Sequence, residues 1–198
     1  VLVGEISEHL AKQPPERQVI IVDGEWERGK SKMDLLIIGL LSGQIFIFHL
    51  AQMCRRGATF PLALKILLED TGVKKVGNRI CSDKSKLVGW GVNLAPTVEL
   101  GHLTKARGLS PTKNPSLAYL CENLFPGVVI EGKDQLVPGP RLSNWANPNL
   151  TQEQLAYANA DGYLTTMIYK ETMRHMDPRV EGNIHVSAAV DGLAVVLY

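Results

Sequence analysis

Apolar positions change rhythm along the chain, and the changes mark its elements. Residues 1–18 predict a short helix that stops at Pro14-Pro15, whose rings forbid its continuation. Val19 to Val22 is an unbroken β-branched run, the pattern of a strand covered on both faces. Met33 to Leu40, the turn Ser42-Gly43 and Ile45 to Leu50 predict an antiparallel hairpin, so the chain opens with three strands. Helical spacing takes over from Phe60 to Glu69, where Leu62, Ile66 and Leu67 recur and Thr71-Gly72 ends the helix. A short strand is predicted over Val73 to Gly77. A helix start follows at Asp83 and runs to Trp90, with Leu87 and Trp90 inward; next come a strand over Val98 to Leu100 and a helix over Leu117 to Leu124 behind Pro115. After a polar loop through Pro138-Gly139-Pro140, Thr151 can cap a long helix while Gln154 reaches back to it. That helix passes Tyr157 and Asp161 to about His175 and closes at Asp177-Pro178. Asp191-Gly192, between apolar runs in Ile184 to Tyr198, predicts a final hairpin. There is no internal repeat and no low-complexity segment. Strands first, then strands mixed with helices, predict an α/β domain around a mixed sheet.

Composition narrows the class. With 198 residues, 45% of them apolar, the chain can bury one proper core with a short appendage. Its longest apolar stretch, Leu35 to Leu41, is far below the roughly 20 residues that cross a bilayer, and the N-terminus lacks a basic-then-apolar leader. A soluble intracellular protein, of nucleus or cytoplasm, is expected, with no membrane partner. Cys54, Cys81 and Cys121 are odd in number and too widely spaced for a zinc knuckle, so buried thiols outside any disulfide are expected. None of the five histidines has metal spacing with another. A formal net charge of +1 selects no partner. Locally, Lys74, Lys75, Arg79, Lys84 and Lys86 stand against one acid, Asp83; such a cluster either contacts phosphates or is a solvated surface.

The segment VIIVDGEWERGKS, residues 19–31, admits two chemistries. Gly24 to Ser31 fits G-x-x-x-x-G-K-[ST], the phosphate-cradling loop of NTPases. That loop needs small residues whose backbone N–H groups converge on an anion, with a helix behind them. Here Glu25, Trp26, Glu27 and Arg28 fill the variable positions, and a strand pattern follows, so the match is formal only. The other chemistry is oxygen ligation of metal ions. Side chains at i and i+2 of a strand share a face, so Asp23 and Glu25 can aim at one point. Tyr157 and Asp161, at i and i+4, share a helix face, and Asp83 lies near a helix N-terminus whose dipole favours an anion. Each has a plain structural alternative: a solvated acid, a helix cap, a core tyrosine with its hydroxyl at the rim.

Together these residues resemble a known family. V-D-G-E-W (22–26), K-V-G-N-R-I-C-S-D-K-S-K-L (75–87) and L-S-N-W-A-N-P-N-L-T-Q-E-Q-L-A-Y-A-N-A-D (142–161) are similar to the three acidic motifs of the DEDDy 3′-to-5′ exonucleases. The similarity is narrowest to the branch of RNase D and the Werner-syndrome-type exonuclease domains, and it spans Val19 to Met176. It implies a ribonuclease H-like α/β fold, a mixed central sheet flanked by helices, with an exonuclease domain over 1–178 and a hairpin or linker extension over 179–198. It also implies a catalytic set of Asp23, Glu25, Asp83, Tyr157 and Asp161. Ala156 stands where the histidine subtype would carry its histidine, so the tyrosine subtype fits. Ser82 replaces a common glycine, Gly162 follows Asp161 where alanine is usual, and Ile38 to Leu41 is less polar than typical. These departures bear on rate and substrate preference more than on chemistry.

The resemblance implies hydrolysis at 3′ ends of DNA or RNA, single-stranded or recessed, releasing nucleoside 5′-monophosphates. Two divalent cations, Mg2+ or Mn2+, about 4 Å apart would stabilise the attacking and leaving oxygens. Asp23 would bridge both, Glu25 and Asp161 would hold the first, and Asp83 would reach the second through water. Tyr157 would orient the attacking water and help remove its proton. Clustered like charges imply a site that metal binding stabilises. Trp26 is either a stacking platform for the terminal base or a core residue pointing away from Asp23. Asn78, Arg79, Lys84 and Lys86 are candidates for backbone contacts, and Trp145 for packing beneath the catalytic helix. The competing reading is a nucleic-acid-binding or scaffolding module that keeps the fold with little turnover. The domain is also expected to belong to a larger polypeptide or complex.

Overall fold

The computed structural model describes residues 1–127, 139–175 and 196–197. Helix α1 (Leu2–Ala11) leads into β1 (Val19–Glu25), β2 (Leu35–Leu40) and β3 (Ile45–Phe48), the three strands expected. Short α2 (Leu50–Met53) and α3 (Leu62–Glu69) precede β4 (Lys74–Gly77), α4 (Ile80–Val88), β5 (Thr97–Glu99) and α5 (Leu100–Ala106). Then come α6 (Leu117–Leu124), α7 (Gln152–Arg174) and β6 (Val196–Leu197). The sheet order is β5-β4-β1-β2-β3-β6. β1, β2 and β3 form an antiparallel meander; β4 and β5 extend it beside β1 in parallel, and β6 pairs parallel with β3.

Both faces of this mixed sheet are covered, as the continuous apolar runs require. Alternate residues of β1 divide between two cores. Ile20 and Val22 pack with Leu10 of α1, Leu64 and Leu68 of α3 and Leu87 of α4. Val19 and Ile21 pack on the opposite face with Leu120 of α6 and Ile168 of α7. Asp23 and Glu25 continue the second series, so strand alternation delivers both carboxylates to the face that α7 covers.

Helix α7 lies close to the sheet because glycines let it. A Cβ on Gly162 would come 2.7 Å from Cγ2 of Ile37 in β2, and one on Gly39 would come 2.7 Å from Thr166 Oγ1. Gly162, unusual against the family pattern, is therefore explained by close approach of helix and strand. The start of α7 is fixed by the expected capping box: Gln154 N donates to Thr151 Oγ1 at 3.2 Å, and Thr151 N donates to Gln154 Oε1 at 2.9 Å. No helix among the described residues is long and apolar enough to cross a membrane.

Several expectations need correction. On α3 the buried residues are Leu64, Leu67 and Leu68, whereas Leu62 and Ile66 are 70% and 61% exposed. Helix α4 starts at Ile80, three residues before Asp83, and α5 begins where a strand was expected to end. Lys75 is no part of a basic surface: it is fully buried, and its Nζ donates to the carbonyls of Asp70 at 2.5 Å and Ala95 at 2.9 Å. Burial pushes its amine down from the usual value to about 8. Of the three thiols only that of Cys121 is buried; Cys54 is half-buried and Cys81 exposed. Asp177-Pro178 and the expected terminal hairpin lie outside the described residues except for Val196–Leu197, which continue the sheet.

Candidate active site

The end of β1 opens into a cleft of about 590 Å3. Asp23, Glu25, Asp83, Tyr157 and Asp161, distant in sequence, all line it. A ligand oxygen from each of Asp23, Glu25 and Asp161 lies within 4.8 Å of the other two. These are hard oxygen donors at a spacing one cation can span, which suits magnesium or manganese and no soft metal.

Asp83 enters from the other side, on the first turn of α4, only 3% exposed. Burial holds its carboxyl well above the ordinary range, and the charges of Asp23, Glu25 and Glu99 push the same way. Like charges brought together out of water raise one another's proton affinity unless a cation offsets them. Tyr157 faces the same cluster. Burial raises its phenol far above its usual value, followed by the charges of Asp161 and Glu25, and its hydroxyl donates a hydrogen bond to Asp161.

The α7 wall of the cleft is built by the S-N-W segment. Gln154 Nε2 donates to Ser143 Oγ at 2.7 Å and to the Asn144 carbonyl at 3.2 Å, tying that segment to the first turn of α7. Trp145 is completely buried, with its ring 6.2 Å from that of Tyr157 at an interplanar angle of 44°. Its carbonyl is held by His49 Nε2 at 3.0 Å, and burial lowers the His49 pKa, favouring the neutral ring. The packing role expected of Trp145, beneath the helix that carries Tyr157 and Asp161, is the role it has.

The α4 wall is held differently. Arg79 precedes the helix with φ 62°, the one described residue other than glycine in the left-handed region, and offers no side-chain cap. Glu99, at the end of β5, supplies one: its Oε1 accepts from Arg79 N at 2.7 Å and its Oε2 from Ile80 N at 3.0 Å. Sequence reasoning missed Glu99, since nothing local connects it to a helix 20 residues earlier.

The candidate nucleic-acid contacts divide. Asn78 and Arg79 line the cleft, and Asn78 Nδ2 donates to the Pro115 carbonyl at 3.4 Å. Lys84 and Lys86 do not line it. Lys86 turns instead to the β1–β2 loop, where its Nζ donates to the Lys30 carbonyl and lies 5.3 Å from the Trp26 ring. Trp26 borders the cleft but packs against the core on the α1, α3 and α4 side, opposite to Asp23, as strand alternation requires. Arg28 and Arg141 line the cleft and were not singled out from sequence, though Arg141 directly precedes the L-S-N-W segment. The phosphate-loop alternative has no support: Gly24 pairs with Leu36 inside the sheet, and Lys30 is engaged by Glu27 at 2.9 Å and Asp34 at 3.2 Å.

The sequence model of a family described as 3′-5′ exonuclease matches residues 3–177, nearly the whole chain. The chain belongs to the 3′-5′ exonuclease family. This exonuclease domain is 30% identical over 172 residues, 84% of its length, to the bifunctional 3′-5′ exonuclease/ATP-dependent helicase WRN of Mus musculus. It is 28% identical over 173 residues to exonuclease 3′-5′ domain-containing protein 2 of the same organism, again over 84% of the chain. It spans only 12% and 26% of those two proteins' lengths. Among solved structures, Escherichia coli RNase D superimposes with a TM-score of 0.65 at 18% identity, covering 87% of this chain and 42% of that one. Brucella melitensis NrnC gives 0.64 at 20%, covering 80% and 73%. The exonuclease domain thus has the ribonuclease H-like arrangement of a mixed sheet flanked by helices that its sequence led one to expect.

Proposed function

We propose that the domain hydrolyses the 3′-terminal phosphodiester bond of DNA or RNA, releasing nucleoside 5′-monophosphates. Asp23, Glu25, Asp83 and Asp161 would hold two divalent cations, magnesium or manganese. The observation that carries this reading is the meeting of Asp23, Glu25 and Asp161 within 4.8 Å, beside a tyrosine hydroxyl bonded to one of them.

When bound, the cations would stabilise negative charge on the attacking and leaving oxygens and make the attacking water more acidic. Asp23 and Glu25 project from one strand face, so their separation is set by the sheet and not by a mobile loop. Tyr157 stays protonated at neutral pH, because burial and the neighbouring carboxylates disfavour the phenolate. Its hydroxyl, at the edge of the carboxylate cluster, is suited to orient the attacking water by hydrogen bonding. Arg28, Arg79 and Arg141 line the cleft and offer charge to the phosphates on either side of the scissile bond.

End-labelled single-stranded and recessed-end DNA and RNA, incubated with magnesium or manganese, test the reading. The wild-type domain should shorten the labelled strand one nucleotide at a time from its 3′ end, and Asp23→Ala and Asp161→Ala should leave it intact. Equal digestion by both variants and wild type would overturn the assignment.

A further inference from the structure

Asp83 has a support that no motif announces, and the support is Glu99. The first N–H groups of any helix lack intrahelical partners and need an acceptor from elsewhere. Helix α4 begins after Arg79, whose side chain donates only, so the usual local cap is impossible. Glu99 replaces it by accepting from Arg79 N at 2.7 Å and Ile80 N at 3.0 Å, and Oε1 also accepts from Gly101 N, the start of α5, at 3.4 Å.

The sheet puts Glu99 there. Gly77, the last residue of β4, is its partner in the parallel β4–β5 ladder, two residues before Arg79. A Cβ at Gly77 would come 2.5 Å from the carbonyl oxygen of Val22, the residue before Asp23. Glu99, the start of α4 and the end of β1 therefore form one rigid row across three strands. Asp83 is the fourth residue of α4, within one turn of the two tethered N–H groups. The left-handed conformation of Arg79 is strained for a residue with a side chain and persists only where surrounding bonds impose it. Glu99 supplies those bonds.

We propose that Glu99 is a positioning residue: it clamps the first turn of α4 so that Asp83 meets Asp23 across the cleft. The proposal rests on the exonuclease reading for its catalytic consequence. Its structural consequence stands separately, and the test keeps the two apart.

Glu99→Ala and Glu99→Gln should be compared with wild type by hydrogen exchange over 79–83, by calorimetric titration with Mn2+ alone, and by turnover of a labelled oligonucleotide. Expected for Glu99→Ala is faster exchange over 79–83, Mn2+ affinity and kcat each lower by about 10- to 100-fold, and an unchanged KM for the oligonucleotide. Glu99→Gln keeps one acceptor and should fall between, and it carries the test if the alanine variant fails to fold. Adding Arg79→Gly to Glu99→Ala should restore part of the Mn2+ affinity, because glycine adopts positive φ without strain. A kcat reduced only in proportion to the folded fraction, with an unchanged Mn2+ titration, would overturn the clamp and leave Glu99 merely structural. A wild-type domain that binds Mn2+ but cleaves no nucleic acid would sink the nuclease reading instead, while the exchange and Mn2+ arms would still decide the role of Glu99.

Discussion

The two walls of the cleft reach similar precision by different means. On one side, Tyr157 and Asp161 ride on a 23-residue helix with its own capping box, pressed onto β2 through Gly162 and floored by Trp145. On the other, Asp83 rides on a nine-residue helix without a cap of its own, held by Glu99 from β5 and by Lys86 bonded to the β1–β2 loop. Packing is distributed over many contacts, whereas a tether concentrates its effect in a few bonds. The α7 wall should therefore tolerate loss of any one hydrogen bond, and the α4 wall should not.

The largest expected effect comes from removing chemistry without moving either wall. Tyr157→Phe deletes the hydroxyl that bonds Asp161 but keeps the ring against Trp145. Loss of a positioned hydrogen-bonding group at the attacking water should lower kcat by about 100-fold, with an unchanged thermal midpoint and Mn2+ titration. A variant with wild-type turnover would remove Tyr157 from the reaction.

Packing on the α7 wall can be broken next. Gly162→Ala places a methyl group 2.7 Å from Ile37 Cγ2, closer than real contacts allow. Overpacking of this kind costs about 1–3 kcal/mol, and helix and strand must part to relieve it. A lower thermal midpoint is expected, with a fall in kcat because Asp161 is the neighbouring residue. Unchanged stability would mean that α7 sits less tightly on β2 than its glycines suggest.

A cap on α7 makes the matching control for Glu99. Thr151→Ala removes the acceptor of Gln154 N and should cost about 1 kcal/mol. Tyr157 and Asp161 lie further along a helix held by its whole buried face, so turnover per folded molecule should stay at the wild-type level. Thermal melts paired with active-site titration check both halves. A catalytic loss as large as that of Glu99→Ala would erase the contrast between the walls.

The same contrast explains which parts were legible in the sequence. Asp23 with Glu25, and Tyr157 with Asp161, were readable because strand and helix periods are local rules that fix a shared face. The capping box of Thr151 and Gln154 was readable for the same reason. The start of α4 was not, because its acceptor lies 20 residues away and Arg79 gives no sign of its left-handed turn. The buried face of α3 was hidden by the segment L-A-L-K-I-L-L, where apolar residues are too dense for a period of 3.6 to choose between faces. Lys75 was misjudged because lysine is normally exposed, and its partners here are carbonyls of two loops that only the fold brings together.

Lys75 supplies the smallest and most specific prediction, since it props β4, the strand that leads into α4. Burial lowers its pKa from 10.5 to about 8, so between those values the unfolded chain holds more protons than the folded one. Stability contributed by this group must then rise with pH across that window, because the cost of a buried charged amine, fully present below about 8, is progressively relieved. Lys75→Met cannot titrate and provides the reference that cancels every other group. The difference in unfolding free energy between wild type and variant should move in favour of wild type by less than about 1 kcal/mol between pH 8 and 9. Denaturant melts at those two pH values read it directly. A flat difference would mean that water reaches the amine, and that β4 carries the α4 wall without an unsolvated lysine beneath it.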